Sequence, residues 1–195
     1  MKKVFEVRWK RAAVAALSLA MAIGFAGCDS FGSRKKSMDA INERLVSFNK
    51  ALQKLDYEAV RRLADWTEED NDYTAIESLF DTSDYGGAEG EGFVICTEYI
   101  ASTISIKYDI STVQIQGDQA TLNVKYEVVD WPSVYQKSHD SYDQVLEDLK
   151  NCQDKSTTDA VIIFENVDGR NDWRLCRISD LGKVMKFVHT LPSGA

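Results

Sequence analysis

The sequence predicts an α+β fold in which a bent antiparallel sheet carries helices on its concave face. Two runs, 104–110 and 120–128, alternate apolar and polar residues, as strands with one buried face do. Gly117-Asp118 lies between them and supplies a tight turn. Because a one-sided antiparallel sheet must cover its apolar face, the helical periodicity on either side of this hairpin completes the prediction.

The alternation slips by one residue within the first half of the hairpin. Apolar residues occupy even positions from Ile104 to Ile110, whereas Val113 and Ile115 occupy odd ones. An extra residue near 111–112, forming a β-bulge, would keep one face buried on both sides of the slip. The sequence therefore predicts one long strand that bends at this point.

Three helices are predicted before the hairpin. Ser37 is a suitable N-cap for the first, because the residues after it recur at spacings of three and four and form one apolar stripe. The stripe comprises Met38, Ile41, Leu45, Phe48, Leu52 and Leu55. Asp56 and Asp72 are the predicted N-caps of two shorter helices.

A glycine-rich break is predicted from Tyr85 to Gly92, and residues 93–103 are compatible with either a helix or a first strand. We favour the helix, because Phe93, Cys96 and Ile100 keep helical spacing.

Two strands and two helices are predicted after the hairpin. Trp131-Pro132 ends the second hairpin strand. The predicted elements are a helix at 141–152, an apolar strand at 160–167 covered on both faces, a last strand at 173–178 and a terminal helix at 181–188.

The first 27 residues have the features of an export signal. A basic start precedes an apolar run, residues 12–25, that is too short for a permanent membrane span. Its end, Phe25-Ala26-Gly27-Cys28, resembles the lipobox of bacterial lipoproteins, in which the cysteine receives a diacylglyceryl group. We therefore expect a lipid-anchored protein on the extracytoplasmic face of the cell membrane. The alternative is cleavage by the ordinary secretory peptidase, which would leave Cys28 as a plain thiol.

The predicted organisation is a signal peptide at 1–27, a polar lipid-anchored tether at 28–36 and a folded domain at 37–195. Loss of the signal removes five basic and one acidic side chain, so the formal net charge changes from -8 to -12. Nucleic acid is an unsuitable partner for so acidic a chain, since phosphate binding depends on Lys and Arg. The membrane is the expected partner, and cations at 34–36 could lie against anionic headgroups.

Two segments resemble the nuclear transport factor 2-like, cystatin-like α+β superfamily. They are Leu-Asp-Tyr-Glu-Ala-Val at 55–60, between two helices, and Asp-Gly-Arg-Asn-Asp-Trp-Arg-Leu at 168–175, opening the last strand. Small bacterial lipoproteins of unknown function carry such domains. The resemblance implies a cone: a strongly curved sheet of about four strands wrapped round the long first helix. The segment 131–158 is longer than the family's simple connection and would cover either the open end or the outer sheet.

Enzymes of this superfamily, such as ketosteroid isomerases and SnoaL-like cyclases, use an Asp or an Asp-His pair in the pocket, with Tyr or Asp donors that stabilise an oxyanion. Tyr108, Tyr126 and Asp130 are the best-placed equivalents here, but two core or rim tyrosines and a strand-ending aspartate are the favoured explanation. Neither His139 nor His189 falls where the family would place a base. We therefore name no catalytic residue.

The cysteines after the signal form an odd set: Cys96, Cys152 and Cys176. One disulfide between Cys152 and Cys176 and buried free thiols are both compatible with the sequence. No pair has metal-ligand spacing, so we expect no metal and no cofactor.

An open mouth is predicted at the wide end of the cone, because the first helix would fill the narrow end. Its lining would be aromatic: Trp66, Phe80, Tyr99, Tyr126 and Trp131. Such a pocket suits an apolar ligand. The expected function is a non-catalytic domain that binds a small apolar ligand, an envelope component or a protein partner. The alternative is a SnoaL-like or isomerase-like enzyme with a pocket carboxylate.

Overall fold

The computed structural model describes residues 29–64, 66, 71–82 and 88–193. Seven α-helices lie within these residues: α1 (Asp29–Gln53), α2 (Tyr57–Leu63), α3 (Asn71–Ser78), α4 (Ala88–Ser102), α5 (Trp131–Tyr135), α6 (Tyr142–Asn151) and α7 (Leu181–Val184). Five β-strands accompany them: β1 (Ser105–Lys107), β2 (Gln114–Gln116), β3 (Gln119–Val129), β4 (Lys155–Val167) and β5 (Asp172–Ile178). The predicted α+β class with an antiparallel sheet is thereby confirmed.

The predictions for the signal peptide and for Cys28 fall outside the described residues, as does Tyr85 at the start of the predicted glycine-rich break. Over the part of the chain that is described, no helix is both long and apolar enough to cross a membrane.

The sheet is antiparallel throughout, with the order β1-β3-β4-β5, and β2 pairs with β3 beyond the end of β1. The centre is β3, which pairs along its whole length with β4, from Gln119 opposite Glu165 to Val129 opposite Lys155. Even-numbered positions of β3 are buried, as the alternation predicts. One face of the sheet therefore contributes to the core.

The first half of the hairpin contains a turn where a bulge was predicted. A 3-10 turn at Ile110–Thr112 separates β1 from β2, so the long bent strand is two short strands. Asp109 explains the difference, because its Oδ1 accepts hydrogen bonds from the backbone N–H and the hydroxyl of Ser111, at 2.9 and 2.6 Å. Such local side-chain bonding favours a turn over a strand.

The apolar stripe of α1 is confirmed up to Leu52, and Ile41, Leu45, Phe48 and Leu52 are completely buried. The predicted last member, Leu55, lies beyond the end of the helix at Gln53 and has a left-handed backbone, with φ of 52°. The helix begins at Asp29, well before the predicted N-cap Ser37. Residues 29–36, predicted as a polar tether, thus form its first two turns. Arg34 stabilises this extension by donating a hydrogen bond to the Val113 carbonyl at 3.1 Å.

Polar side chains of α1 reach the β1 edge of the sheet. Gln53 donates to the Ile104 carbonyl at 2.8 Å, and Asn49 Oδ1 accepts from the Ile106 backbone N–H at 3.0 Å. Because these groups belong to an edge strand, α1 satisfies backbone groups that no neighbouring strand pairs.

Other side chains of α1 reach the turn between β4 and β5. Arg44 forms an ion pair with Asp172 at 3.0 Å, and Ser37 donates to Asn171 Oδ1 at 3.0 Å. The amide nitrogen of Asn171 in turn donates to the Lys36 carbonyl at 3.1 Å. The helix is therefore tied to both sides of the sheet.

The helical prediction for residues 93–103 is confirmed by α4, which also includes the end of the predicted glycine-rich break. The helix predicted at 141–152 is confirmed by α6, which packs against α4 and α5. Gly92 allows this approach: a Cβ at that position would lie 2.6 Å from Tyr142 Cβ.

The strand predicted at 160–167 is longer and less covered than expected. It begins at Lys155, and Ala160, Ile162 and Phe164 are buried, whereas Val161 and Ile163 on the other face are only half-buried. The polar residues 155–159 carry no hydrophobic signal, and their pairing with β3 holds them in the strand.

The remaining predicted elements agree closely with the structure. Asp56 caps α2 by accepting from the Ala59 N–H at 2.8 Å, and β3 ends at Val129, just before Trp131-Pro132, as predicted. The short helix α5 that begins at Trp131 was not predicted. The third helix begins at Asn71, one residue before its predicted cap Asp72.

Replacement of Trp173 by alanine should cost about 3–5 kcal/mol of folding free energy, because a large buried ring would leave a cavity. Trp173 opens β5, is 2% exposed and donates its ring N–H to Asn171 Oδ1 at 2.9 Å. Denaturant unfolding measures the change. Arg177→Ala, at an exposed position of the same strand, is the control and should stay within about 0.5 kcal/mol. Equal stability of both variants would contradict the assigned packing.

Candidate functional site

The five residues predicted to line an open mouth are mostly interior residues. Phe80, Tyr126 and Trp131 are 8, 1 and 7% exposed, and Trp66 and Tyr99 are half-buried. Their ligand-binding role stays a prediction, and in this structure three of the five side chains are closed to solvent.

Aromatic neighbours occupy the space that the predicted mouth required. Phe80 lies against Tyr57, with ring centroids 5.8 Å apart. Trp131 packs edge-on to Tyr135 and Phe187, at 5.4 and 6.3 Å. Edge-to-face contacts at these distances stabilise a core.

Tyr126 has an environment that sequence reasoning did not foresee. It lies in the middle of β3, and its hydroxyl has no hydrogen-bond partner among the described residues. Burial raises the pKa of this phenol strongly, and the nearby charge of Asp180 raises it further. The hydroxyl is therefore neutral at every physiological pH and is a buried, unpaired polar group.

The other two candidates for chemistry have structural hydrogen bonds. The Tyr108 hydroxyl donates to Asn42 Oδ1 at 2.9 Å, and burial raises the pKa of Tyr108. Asp130 Oδ1 accepts from the Ser156 hydroxyl at 2.7 Å, while its backbone begins α5. Both side chains fasten neighbouring elements together.

His139 lies in the connection between α5 and α6 and is 5% exposed. Its Nε2 lies 3.4 Å from Asp148 Oδ2, which Lys137 also contacts at 3.1 Å. The hydrogen bonds from Lys137, which has the larger effect, and from His139 lower the pKa of Asp148. His139 thus belongs to a small polar cluster on the α5–α6 side of the molecule.

Among the described residues, no disulfide joins any two of Cys96, Cys152 and Cys176. The disulfide considered between Cys152 and Cys176 is not formed. Cys96 is completely buried on α4, and burial together with the charge of Asp143 raises its pKa to about 11.

One cleft lies on the sheet rather than at the predicted mouth. It measures about 520 Å³ and runs from Lys107 across Lys125 and Asp159 to Asp180. A second cleft of about 390 Å³ adjoins it through Asp180 and is lined by Trp66.

Asp180 is the residue that sequence reasoning missed. Its backbone is left-handed, with φ of 57°. Its carboxylate accepts hydrogen bonds from Lys183, which has the largest effect, and from Ser179, and both lower its pKa. The available signal was an aspartate directly before a helix, which is too common to mark a site.

The clefts have charged rims, and no group of three or more His, Cys, Asp or Glu among the described residues is arranged to hold a metal ion. Comparisons with family models, curated proteins and solved structures find no match to this chain. Its function has to be argued from its own residues.

We expect Cys96 to react with iodoacetamide far more slowly than Cys152 in the folded protein. At pH 8 roughly one Cys96 thiol in a thousand would be ionised, and the side chain is fully buried, whereas Cys152 is half-buried. Mass spectrometry of timed digests measures both rates. In denaturant the two rates should converge. Equally fast alkylation of both thiols in the folded protein would contradict the packing of α4.

Proposed function

We propose that this chain is a lipid-anchored, extracytoplasmic domain without catalytic activity, which binds an envelope component or a protein partner through its outer surface. The observation that carries the proposal is the filled interior. The stripe of α1 and the inner face of β3 belong to one buried cluster, and Tyr126, at the centre of the predicted mouth, is 1% exposed. A small apolar ligand would have to displace these side chains, so an outer binding surface fits better.

The anchor is proposed from the end of the signal, Phe25-Ala26-Gly27-Cys28. The start of α1 at Asp29 supports a domain held close to the membrane, since a helix extends only about 1.5 Å per residue. A diacylglyceryl group on Cys28 would place the first turns of α1 near the lipid headgroups. The cations at 34–36 suit that position electrostatically.

The finer fold that we propose is the cone of the nuclear transport factor 2-like superfamily. The contacts of α1 support it, because the helix hydrogen-bonds to Ile106 of β1 at one sheet edge and pairs with Asp172 of β5 at the other. A sheet that curves round the helix brings both edges within reach of side chains.

An isomerase-like or SnoaL-like enzyme is the second candidate, and one observation favours it. The Tyr126 hydroxyl is buried and unpaired, and the carboxylate of Asp180 is close enough to raise its pKa. Enzymes with oxyanion holes present such unpaired donors to their substrates. Against it, Asp130 is bonded to Ser156, and Tyr126 is closed to solvent.

Anchoring predicts that Cys28→Ser moves the protein from the membrane to the soluble fraction, because the acyl chains supply the hydrophobic attachment. Fractionation with immunoblotting measures the distribution, and intact mass shows the acyl adduct on the unaltered protein. Cys152→Ser is the matched control and should stay on the membrane. An unacylated protein, or an unchanged membrane fraction for Cys28→Ser, would disprove the anchor.

The non-catalytic proposal predicts that Tyr126→Phe is at least as stable as the original protein. An unpaired buried hydroxyl costs about 1–3 kcal/mol to desolvate, so its removal should not destabilise. Tyr108→Phe, which loses the bond to Asn42, should lose about 1 kcal/mol.

Thermal or denaturant unfolding distinguishes the two tyrosine variants. The enzyme alternative would gain support if the original protein turned over isomerase or dehydratase substrates and Tyr126→Phe abolished that turnover.

A further inference from the structure

The strand β4 extends past the end of β5. Pairing between them ends at Ile162 opposite Ile178, and Ser179 continues it to Val161 by one backbone bond of 3.1 Å. The preceding segment, 155–159, pairs with β3 on one side only.

The contacts of Val161 and Asp154 show in which direction the backbone N–H and carbonyl groups of residues 155–159 point. The Val161 N–H donates to the Ser179 hydroxyl at 2.8 Å and its carbonyl accepts from the Ser179 N–H, so both groups point away from β3. The Asp154 carbonyl accepts from the Asp130 N–H at 3.0 Å and points towards the β3 side. Odd and even residues of β4 therefore face opposite edges, as in any antiparallel strand.

Lys155, Thr157 and Asp159 consequently direct their N–H and carbonyl groups outward. No hydrogen bond from the described residues reaches these groups, and all three side chains are exposed. The edges formed by β1 and β5 are covered by side chains. Asn49 accepts from Ile106 of β1, and the Trp66 ring N–H reaches the Cys176 carbonyl of β5. An uncovered strand edge is a template for another strand.

The sequence of this edge, Lys-Ser-Thr-Thr-Asp, is complementary to itself when paired antiparallel. With Thr157 opposite Thr157 of the partner subunit, Lys155 lies opposite Asp159 of the partner subunit, and the reverse pair follows by symmetry. Three pairs of outward-facing residues would then exchange six backbone hydrogen bonds. Two cross-strand ion pairs would form on the same sheet face.

We propose that residues 155–159 form the contact of a two-fold dimer, in which two copies of this chain join their sheets edge to edge. Charge complementarity selects a second copy as the occupant, because Lys155 lies two residues before the central Thr157 and Asp159 lies two residues after it. The Asp159 side chain is 87% exposed and contacts Lys125 only at 3.9 Å, so it is free to turn to a partner.

The contact is short and belongs to the class of weak interfaces. Attachment of both copies to one bilayer would raise their effective concentration, and this part of the argument depends on the proposed anchor. The antiparallel pairing of residues 155–159 does not depend on the anchor.

Cross-linking of the full chain in cell membranes tests the register. In a Cys152→Ser, Cys176→Ser background, Thr157→Cys places two symmetry-related Cα atoms about 5.5 Å apart, within disulfide range. Mild oxidation should give a disulfide-linked homodimer. The control is Glu165→Cys, an exposed position of β4 that β3 and β5 flank on both sides, and it should stay monomeric.

Charge reversal tests the pairing. Lys155→Asp should lower the cross-linked yield roughly tenfold, because two attractive pairs become repulsive, and Asp159→Lys should do the same. The double variant Lys155→Asp/Asp159→Lys restores opposite charges and should recover the yield.

Three outcomes would overturn the dimer: equal cross-linking of Thr157→Cys and Glu165→Cys, a yield insensitive to Lys155→Asp, or cross-links to another protein only. Membrane fractions are scored in the same samples, so loss of the anchor and loss of pairing are distinguished.

Discussion

The burial of the α1 stripe beneath the sheet is the interaction on which the rest of the molecule depends. Ile41, Leu45, Phe48 and Leu52 are completely removed from water, and each such side chain contributes about 1.5–3 kcal/mol. The same burial closes the interior, because the inner residues of β3 meet these side chains in one cluster. A core filled in this way is the observation behind the proposal that the domain binds through its outer surface.

Polar side chains cover some edges of the sheet and leave another uncovered. α1 satisfies backbone groups of β1 through Asn49 and Gln53, and the ring of Trp66 covers part of β5. The first residues of β4 receive no such cover from the described chain, because β5 ends at Ile178 while β4 continues. This exposed edge carries one lysine and one aspartate, placed symmetrically about Thr157, and that symmetry is the basis of the proposed pairing.

The candidate site was less predictable than the fold. Tyr126 was correctly expected on β3, whereas the short helix that Trp131 begins was not predicted. The sequence also does not distinguish a pocket lining from a core contact. The packing of Trp131 against Phe187 depends on residues far apart in the chain. Asp180 is a candidate only because its backbone is left-handed and because its charge raises the pKa of the buried Tyr126 hydroxyl.

The sequence by itself determined the α+β class, the long amphipathic helix and the alternation of β3, because each follows from local periodicity over many residues. It also carries the lipobox-like end of the signal. Only the tertiary structure decided that the hairpin bends through a 3-10 turn at 110–112, that Cys152 and Cys176 stay apart, and that β4 begins at Lys155. Those features depend on which distant backbone and side-chain groups meet, and polar residues such as 155–159 join a strand only because β3 pairs with them.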